Sequence, residues 1–580
     1  MGTTSMTRAI LIAAALLLAA CGADSEKTDG ETAGARGGDA QSAGYDAAND
    51  PLFDARNIRA HIGFLASDEL EGREAGTRGY DIAAEYVASQ FAQAGLKPGA
   101  GEGYMQPVAL RRYTSDVEAA GFAILRDGGE ETLDARVEFL PGDDPNRTET
   151  LVEAPVVFAG YGAVTEQRND YAGIDAEGKI VAVIGAAPPG VDSSLAAHLT
   201  SSTTKAETAV EQGAAGMIVL MAPEGQRRFS FETLARFAGR GSITWIGPDG
   251  TAYEAAPGLD GQAVLSEAGA ARLFEGAERS YEDIMAASEA GGADIAGFDL
   301  PVSVRMSAVN EHSDLASENV IGVVEGSDPA LKDEYVVLTA HLDHIGISER
   351  VDGGDKINNG AMDNASGAAA MLEVARVTAL EAAPRRSLMF IALTAEEKGL
   401  VGAEYYVNNP TVPKESIIAN INLDMPVLLY DFTDVIAFGA DHSTLGPLTE
   451  SALAEIGVTL TPDPLPDQNL FTRSDHYRFV QQGIPSLFLM TGFEGEGETE
   501  FRGFLATNYH RPGDDLSQPL NYLAGAKFAR ANYEIMTEVA NADERPVWNA
   551  GDYFGTRYGG PMADAADEAG NASGANEAAN

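Results

Sequence analysis

EYVVLTAHLDHIG, from Glu334 to Gly346, is followed by NNGAMDNASGAAAMLEVARV (residues 358–377) and RRSLMFIALTAEEKGLVGAEYY (residues 385–406). These three pieces decide the fold. Tyr335 to Ala340 is a short apolar run that ends at His341 and Asp343. Ala365 to Leu380 has helical character and is preceded by Asp363 and Asn364. Ser387 to Thr394 is a second apolar run, ending at Glu396 and Glu397. Strands of a parallel sheet are buried on both faces and read as near-continuous apolar runs. Ligands bind outside the carboxyl ends of such strands. Histidine, aspartate and glutamate at successive strand ends therefore predict one polar, metal-type site above a sheet.

Outward from this stretch the same alternation continues. ENVIGVVEG leads through a DPALKDE turn into Tyr335. Downstream, the pattern predicts strands over 417–425, 435–440 and 486–490, and helices over 445–456, 474–482 and 522–540. This βαβα order predicts an α/β doubly wound, mixed sheet. Upstream, Ile58, Ile62 and Leu65 recur at helical spacing, as do Ala83, Val87, Phe91 and Ala94, with Gly95 suited to a C-terminal cap. The link between them, SDELEGREAGTRGY, is either a plain surface loop or a loop that approaches a pocket. Val152 to Gly297 alternates strands with short helices but gathers no cluster of histidines and carboxylates. It reads as an inserted, β-rich accessory domain in which His198 is structural.

The chain has 580 residues, more than one ordinary core holds. The expected division is a signal segment (1–21), a flexible tether (22–50), the first part of the main domain (51–150), the inserted domain (151–300), the main domain with its site (301–545) and a disordered polar tail (546–580). Lysine plus arginine is 39 against 88 acidic residues, a net charge of 39 − 88 = −49, which argues against nucleic acid and anionic membrane surfaces as partners. Cys21 is the one cysteine, so neither an internal disulfide nor a cysteine-rich metal site is available. Arg8, the apolar run Ala9 to Ala20 and Leu18-Ala19-Ala20-Cys21 read as a signal peptide ending in a lipobox, with Cys21 lipidated after cleavage. The alternative is an ordinary signal peptide that contains a cysteine. The expected location is the bacterial cell envelope, facing the periplasm or the cell surface, with membrane contact only through the lipid. Oligomeric state is left open.

Without cysteine, zinc is held by histidine nitrogen and carboxylate oxygen. The candidates at strand ends or loops are His341, Asp363, Glu397, Asp424 and His510. Each has a plainer reading: a lone histidine is more often structural, Asp363 suits a helix cap, and Asp424 suits a turn. Their joint placement is the stronger signal. Two metals roughly 3.5–4 Å apart can share a carboxylate and act on one water and one carbonyl. Five such residues divide into two sets of three with one shared. Glu396 is then left to serve as a general base; its alternative is an acidic pair with Glu397 at a helix start. Asp343, two residues after His341, is placed to hydrogen-bond that imidazole.

The segments HLD, GAMDNASG, TAEEKGLVGAEYY, NLDM, RSDHYRFVQQGIP and YHRPGDD resemble, in this order, the co-catalytic dizinc aminopeptidase family. Its relatives include glutamate carboxypeptidase II, the glutaminyl cyclases and the transferrin receptor. The resemblance covers most of residues 55–110 and 305–540, and Val152 to Gly297 resembles the protease-associated domain often inserted in that family. It implies two zinc ions. His341, Asp363 and Asp424 would hold one, and Asp363, Glu397 and His510 the other, with Asp363 bridging. Glu396 would be the general base, Tyr509 an oxyanion stabiliser and Arg473 a substrate-orienting group. His344 and His476 receive no ligand role. The implied reaction is hydrolysis of the N-terminal peptide bond of peptides. The rivals are a carboxypeptidase or dipeptidase on the same site, a glutaminyl cyclase, and a non-catalytic binding protein. Phe471, Tyr477, Phe493, Phe501 and Phe504 either line an apolar specificity pocket or belong to the core.

Overall fold

A computed structural model describes residues 45–222, 230–292, 295–348, 354–468 and 470–564. The signal segment, its Cys21 and most of the tether lie outside these residues. The predicted α/β class is correct: helices cover both faces of a mixed sheet. Its order is Ser242–Trp245, Met105–Ser115, Phe298–Val324, Ser387–Leu393, Tyr335–His341, Ile417–Leu423, Ser486–Thr491, Asp434–Phe438 and Thr459–Thr461. The strands from Ser387–Leu393 to Ser486–Thr491 run parallel, and the outer ones add antiparallel pairs.

Alternation along the central strand explains the two covering layers. Val336, Leu338 and Ala340 face helices Gly367–Leu380, Tyr522–Asn541, Ala55–Leu65 and Arg78–Ala94. Val337 faces the other way, with Met389 and Ile391, onto Ala403, Tyr406 and Phe479. Each fully buried Val, Leu, Ile, Met or Phe among them contributes about 1.5–3 kcal/mol. Helix Arg78–Ala94 ends at Gly95, whose φ of 90° supplies the left-handed cap.

Phe298–Val324 is one continuous strand of 27 residues that serves two sheets. Its second half pairs with Met105–Ser115 and Ser387–Leu393 in the main sheet. Its first half pairs with Gly121–Arg126 and Glu149–Phe158 in a second sheet. That sheet continues through Ile180–Ile184, Gly216–Leu220, Gln262–Leu265 and Phe139–Pro141. It therefore draws on residues before 151, while Ser242–Trp245, from within the 151–300 range, joins the main sheet instead.

The expected polar tail over 546–580 is corrected for its described part. Trp548 is 1 % exposed and donates its indole N–H to the Gly483 carbonyl at 2.8 Å. Helix Tyr553–Arg557 follows, and Phe554 packs edge-to-face with His198 and His442 and at a tilt against Phe471. A composition rich in Gly, Ala and Asp conceals aromatic anchors at Trp548, Tyr553, Phe554 and Tyr558; a few large rings bury enough area to order a polar segment. Residues 565–580 lie outside the described range. The end of the tether is also fixed: Tyr45 donates to Asp50 at 2.7 Å, and Arg530 lies 3.3 Å from the same carboxylate.

Candidate metal centre

The parallel register delivers the site. His341 ends its strand level with Leu393. Thr339 is level with Asn422, so Asp424, two residues on, comes level with His341. Glu396 and Glu397 lie just past Leu393, where Ala395 (φ 53°) turns the chain into a short 3₁₀ turn, Glu396–Lys398. Met425 (φ 50°), just after Asp424, and His510 itself (φ 54°) are also left-handed. Such conformations cost about 1–3 kcal/mol each for non-glycine residues and persist where the surroundings force them.

Asp363 lies in an irregular turn, Ala361–Ser366, ahead of helix Gly367–Leu380, and the Asp363–Asn364 peptide is cis. It does not cap the helix. Its two oxygens point to two different groups. Oδ1 is 3.3 Å from His341 Nε2, which is in turn 3.2 Å from Asp424 Oδ1. Oδ2 is 3.0 Å from His510 Nε2, which is 3.2 Å from Glu397 Oε2. The donor atoms of each group lie within 4.8 Å of one another. All five predicted ligands are thus brought together, with Asp363 between the two halves. The donor set of imidazole nitrogens and carboxylate oxygens is the one zinc takes when cysteine is absent.

His344, given no ligand role from the sequence, is in the cluster. Its Nδ1 is 2.7 Å from Glu397 Oε1 and 3.9 Å from Asp363 Oδ2, and it is completely buried. His476 is not there; it is buried against Phe471 and Phe488. Phe471, Tyr477, Phe501 and Phe504 are core residues, each at most 5 % exposed, and half-buried Phe493 packs on Phe501.

Asp343 needs a correction. His341 Nδ1 meets the backbone carbonyl of Asp343, at 3.1 Å, while the carboxylate lies 4.0 Å away. That carboxylate accepts the backbone N–H groups of Glu396 and Glu397 at 3.0 and 3.3 Å. It caps the turn that carries the two glutamates, a use of an acidic side chain that sequence spacing does not reveal.

Three further fasteners went unread. Asn364 donates to the carbonyls of His341 and Leu423 and accepts from Met425 N–H, tying together both strand ends. Asp514 accepts the N–H groups of Met362 and Asp363 at 2.9 and 3.0 Å and so holds the bridging turn. Ser474 donates to Asp424 Oδ2 at 2.6 Å and is backed by Asn422 and Thr339. Ser474 and Asp514 sit inside RSDH and PGDD, but their partners lie 50 and about 150 residues away.

Burial shifts several of these groups. It pushes Asp343 and Asp514 up to about 6. Burial also raises Glu396, reinforced by Asp424 and Glu397 and only partly offset by His341, so its carboxyl lies well above the usual range. For Asp363, burial is outweighed by hydrogen bonds with His341 and His510, which hold it well below the usual range. Tyr509 stacks on His510 with centroids 3.9 Å apart, and burial pushes its phenol up. Arg473 is half-buried and its charge reaches Tyr509.

Residues 319–536 match the profile of Peptidase family M28. The chain is similar to a probable leucine aminopeptidase 2 from Aspergillus oryzae, 28 % identical over 41 % of this chain and 48 % of the relative. It is also similar to aminopeptidase YwaD from Bacillus subtilis, 38 % identical over 34 % of this chain and 40 % of the relative. Among solved structures, an aminopeptidase from Aneurinibacillus sp. strain AM-1 aligns with 85 % of this chain and 96 % of its own at 20 % identity and a TM-score of 0.46. The chain spans less than half the length of these curated relatives. The match to Peptidase family M28 spans the residues that carry both halves of the cluster.

Proposed function

We propose that this protein is a zinc-dependent aminopeptidase, hydrolysing the N-terminal peptide bond of peptides. The observation that carries the reading is the division of Asp363 between two imidazole–carboxylate sets, with Glu396 next to Glu397 on the turn and within electrostatic reach of His341 and Asp424. His341, Asp363 and Asp424 would hold one zinc, and Asp363, Glu397 and His510 the other. When bound, zinc supplies Lewis acidity to the scissile carbonyl and lowers the pKa of water. Glu396 takes the proton of the attacking water, whose oxygen bonds to the carbonyl carbon. The same proton goes to the amine nitrogen as the C–N bond breaks. Tyr509 stays protonated and so donates a hydrogen bond to the developing oxyanion. Arg473 aligns the substrate chain.

Aminopeptidase chemistry is favoured over carboxypeptidase chemistry because both curated relatives described above are named as aminopeptidases. The second sheet fits a protease-associated domain, and Cys21 fits a lipid anchor to the cell envelope; peptides would be the partners. The test is Glu396→Gln. Turnover of leucyl amide should fall by roughly 10²–10⁴-fold, the share of a general base, with zinc content unchanged. Full retained turnover would sink the base assignment, and equal cleavage of an N-blocked leucyl amide would sink the aminopeptidase assignment.

A further inference from the structure

Arg73 stands far from the metal centre in sequence and against it in space. It lies in the SDELEGREAGTRGY link, where Glu71, Gly72 and Arg73 are consecutive left-handed residues, with φ of 50°, 74° and 48°. This kinked segment wedges between the two loops that bear His341 and Asp363. The Gly346 N–H donates to the Gly72 carbonyl, and His344 N–H to the Arg73 carbonyl, both at 3.2 Å. A Cβ on Gly72 would come within 2.5 Å of the Asn358 carbonyl oxygen.

The Arg73 side chain is 1 % exposed. Its hydrogen bonds all go to main-chain carbonyls: Nε to Leu342 at 2.9 Å, Nη1 to Asn359 at 2.6 Å and to Leu65, and Nη2 to Gly360 at 3.1 Å. Leu342 lies between His341 and Asp343; Asn359 and Gly360 lead directly into the turn of Asp363. One planar, five-donor group thus grips both ligand loops and the end of helix Ala55–Leu65 at fixed spacing. It is also a buried positive charge facing the carboxylates of Asp514, Asp343, Asp363 and Glu397.

We infer that Arg73 is a positioning residue of the metal centre, a buried guanidinium clamp that sets the separation of the His341 and Asp363 loops. The inference rests on the metal-site reading above. Arg73 acts through main-chain carbonyls and does not contact the reacting atoms, so its loss weakens zinc binding and lowers kcat while leaving KM for leucyl amide unchanged.

The experiment compares the full chain with Arg73→Gly, which the left-handed backbone accepts, and Arg73→Lys, which keeps a charge but not the fork. Zinc Kd is measured by chelator competition on protein shown to be folded by circular dichroism. Partners that orient metal ligands change metal affinity by about 10–100-fold, and that is the loss expected for Arg73→Gly, with Arg73→Lys in between. Millimolar guanidinium should restore the affinity of the glycine variant. Unchanged zinc affinity in a folded variant, or a loss that guanidinium does not reverse, overturns the clamp. Should the glycine variant not fold, the lysine variant decides by the same criterion. Zinc binding by the unmodified protein is read first: its absence overturns the site reading and the clamp together, whereas normal binding with indistinguishable variants overturns the clamp alone.

Discussion

The two sheets share a strand yet use buried polar groups in opposite ways. In the second sheet's unit Lys205, Asp170 and His198 are closed off. Lys205 donates to the carbonyls of Tyr161 and Ala186. Asp170 accepts from Tyr161 and Ala163 N–H groups and pairs with Arg168. His198, buried among rings, meets the Tyr477 hydroxyl at 2.5 Å. In the main sheet, imidazoles and carboxylates from five separate segments turn toward one another instead. Polar groups that satisfy the backbone contribute stability and specify packing. Imidazoles and carboxylates that converge on one another, with Arg73 beside them donating to main-chain carbonyls, form a donor set that a divalent cation would suit. The contrast, more than the count of buried polar residues, separates a scaffold from a site.

Substitutions sharpen or break this contrast. On the main sheet, Asp363→Ala removes a donor from both sets. Zinc content should collapse and turnover fall by more than the ~100-fold typical of groups that merely orient ligands, as read by metal analysis beside leucyl amide hydrolysis. Retained metal would mean the convergence is structural. Ser474→Ala strips one hydrogen bond from Asp424, and zinc affinity should drop by about 10–100-fold without a matching drop in thermal stability.

On the second sheet the readout should be stability alone. Burial drives the Lys205 ammonium down to about 7. The unfolded chain, with lysine at its ordinary value, then binds more protons than the folded chain from about pH 7 upward. Stability should rise with pH across that window, by about 1.4 kcal/mol per pH unit, and the penalty should be fully present below it. Urea unfolding from pH 7 to 9 should show a slope that Lys205→Met flattens; identical slopes would refute a depressed lysine. His198→Phe should cost about 1 kcal/mol, the net worth of one hydrogen bond, with kcat intact. A large kcat loss there would break the division of labour between the sheets.

Much of the site was legible because its signals are local. An apolar run that stops at a histidine or an acid marks a strand end wherever it sits, which serves for His341, Glu396, Glu397 and Asp424, whereas Asp363 and His510 lie in loops and are legible by residue type and by the family resemblance. What stayed hidden acts through main-chain groups of distant residues. The spacing of Asp343 from His341 suggests an imidazole partner, but its carboxylate caps a turn. Asp514, Asn364 and Arg73 bind peptide groups, which no side-chain pattern advertises. His344 was set aside because it matched no ligand position in the resemblance, though its contact with Glu397 needs only the loop after His341 to curl back.

By itself the sequence determined the α/β class, the parallel-type burial of the central strands, and the residue types able to hold metal, because periodicity and strand-end chemistry are written within a few residues. Only the tertiary structure decided that Asp363 faces two donor sets, that Phe298–Val324 belongs to two sheets, and that Trp548 anchors a segment of tail-like composition. Each of these depends on contacts between segments tens to hundreds of residues apart, and no short-range pattern encodes which buried groups will meet.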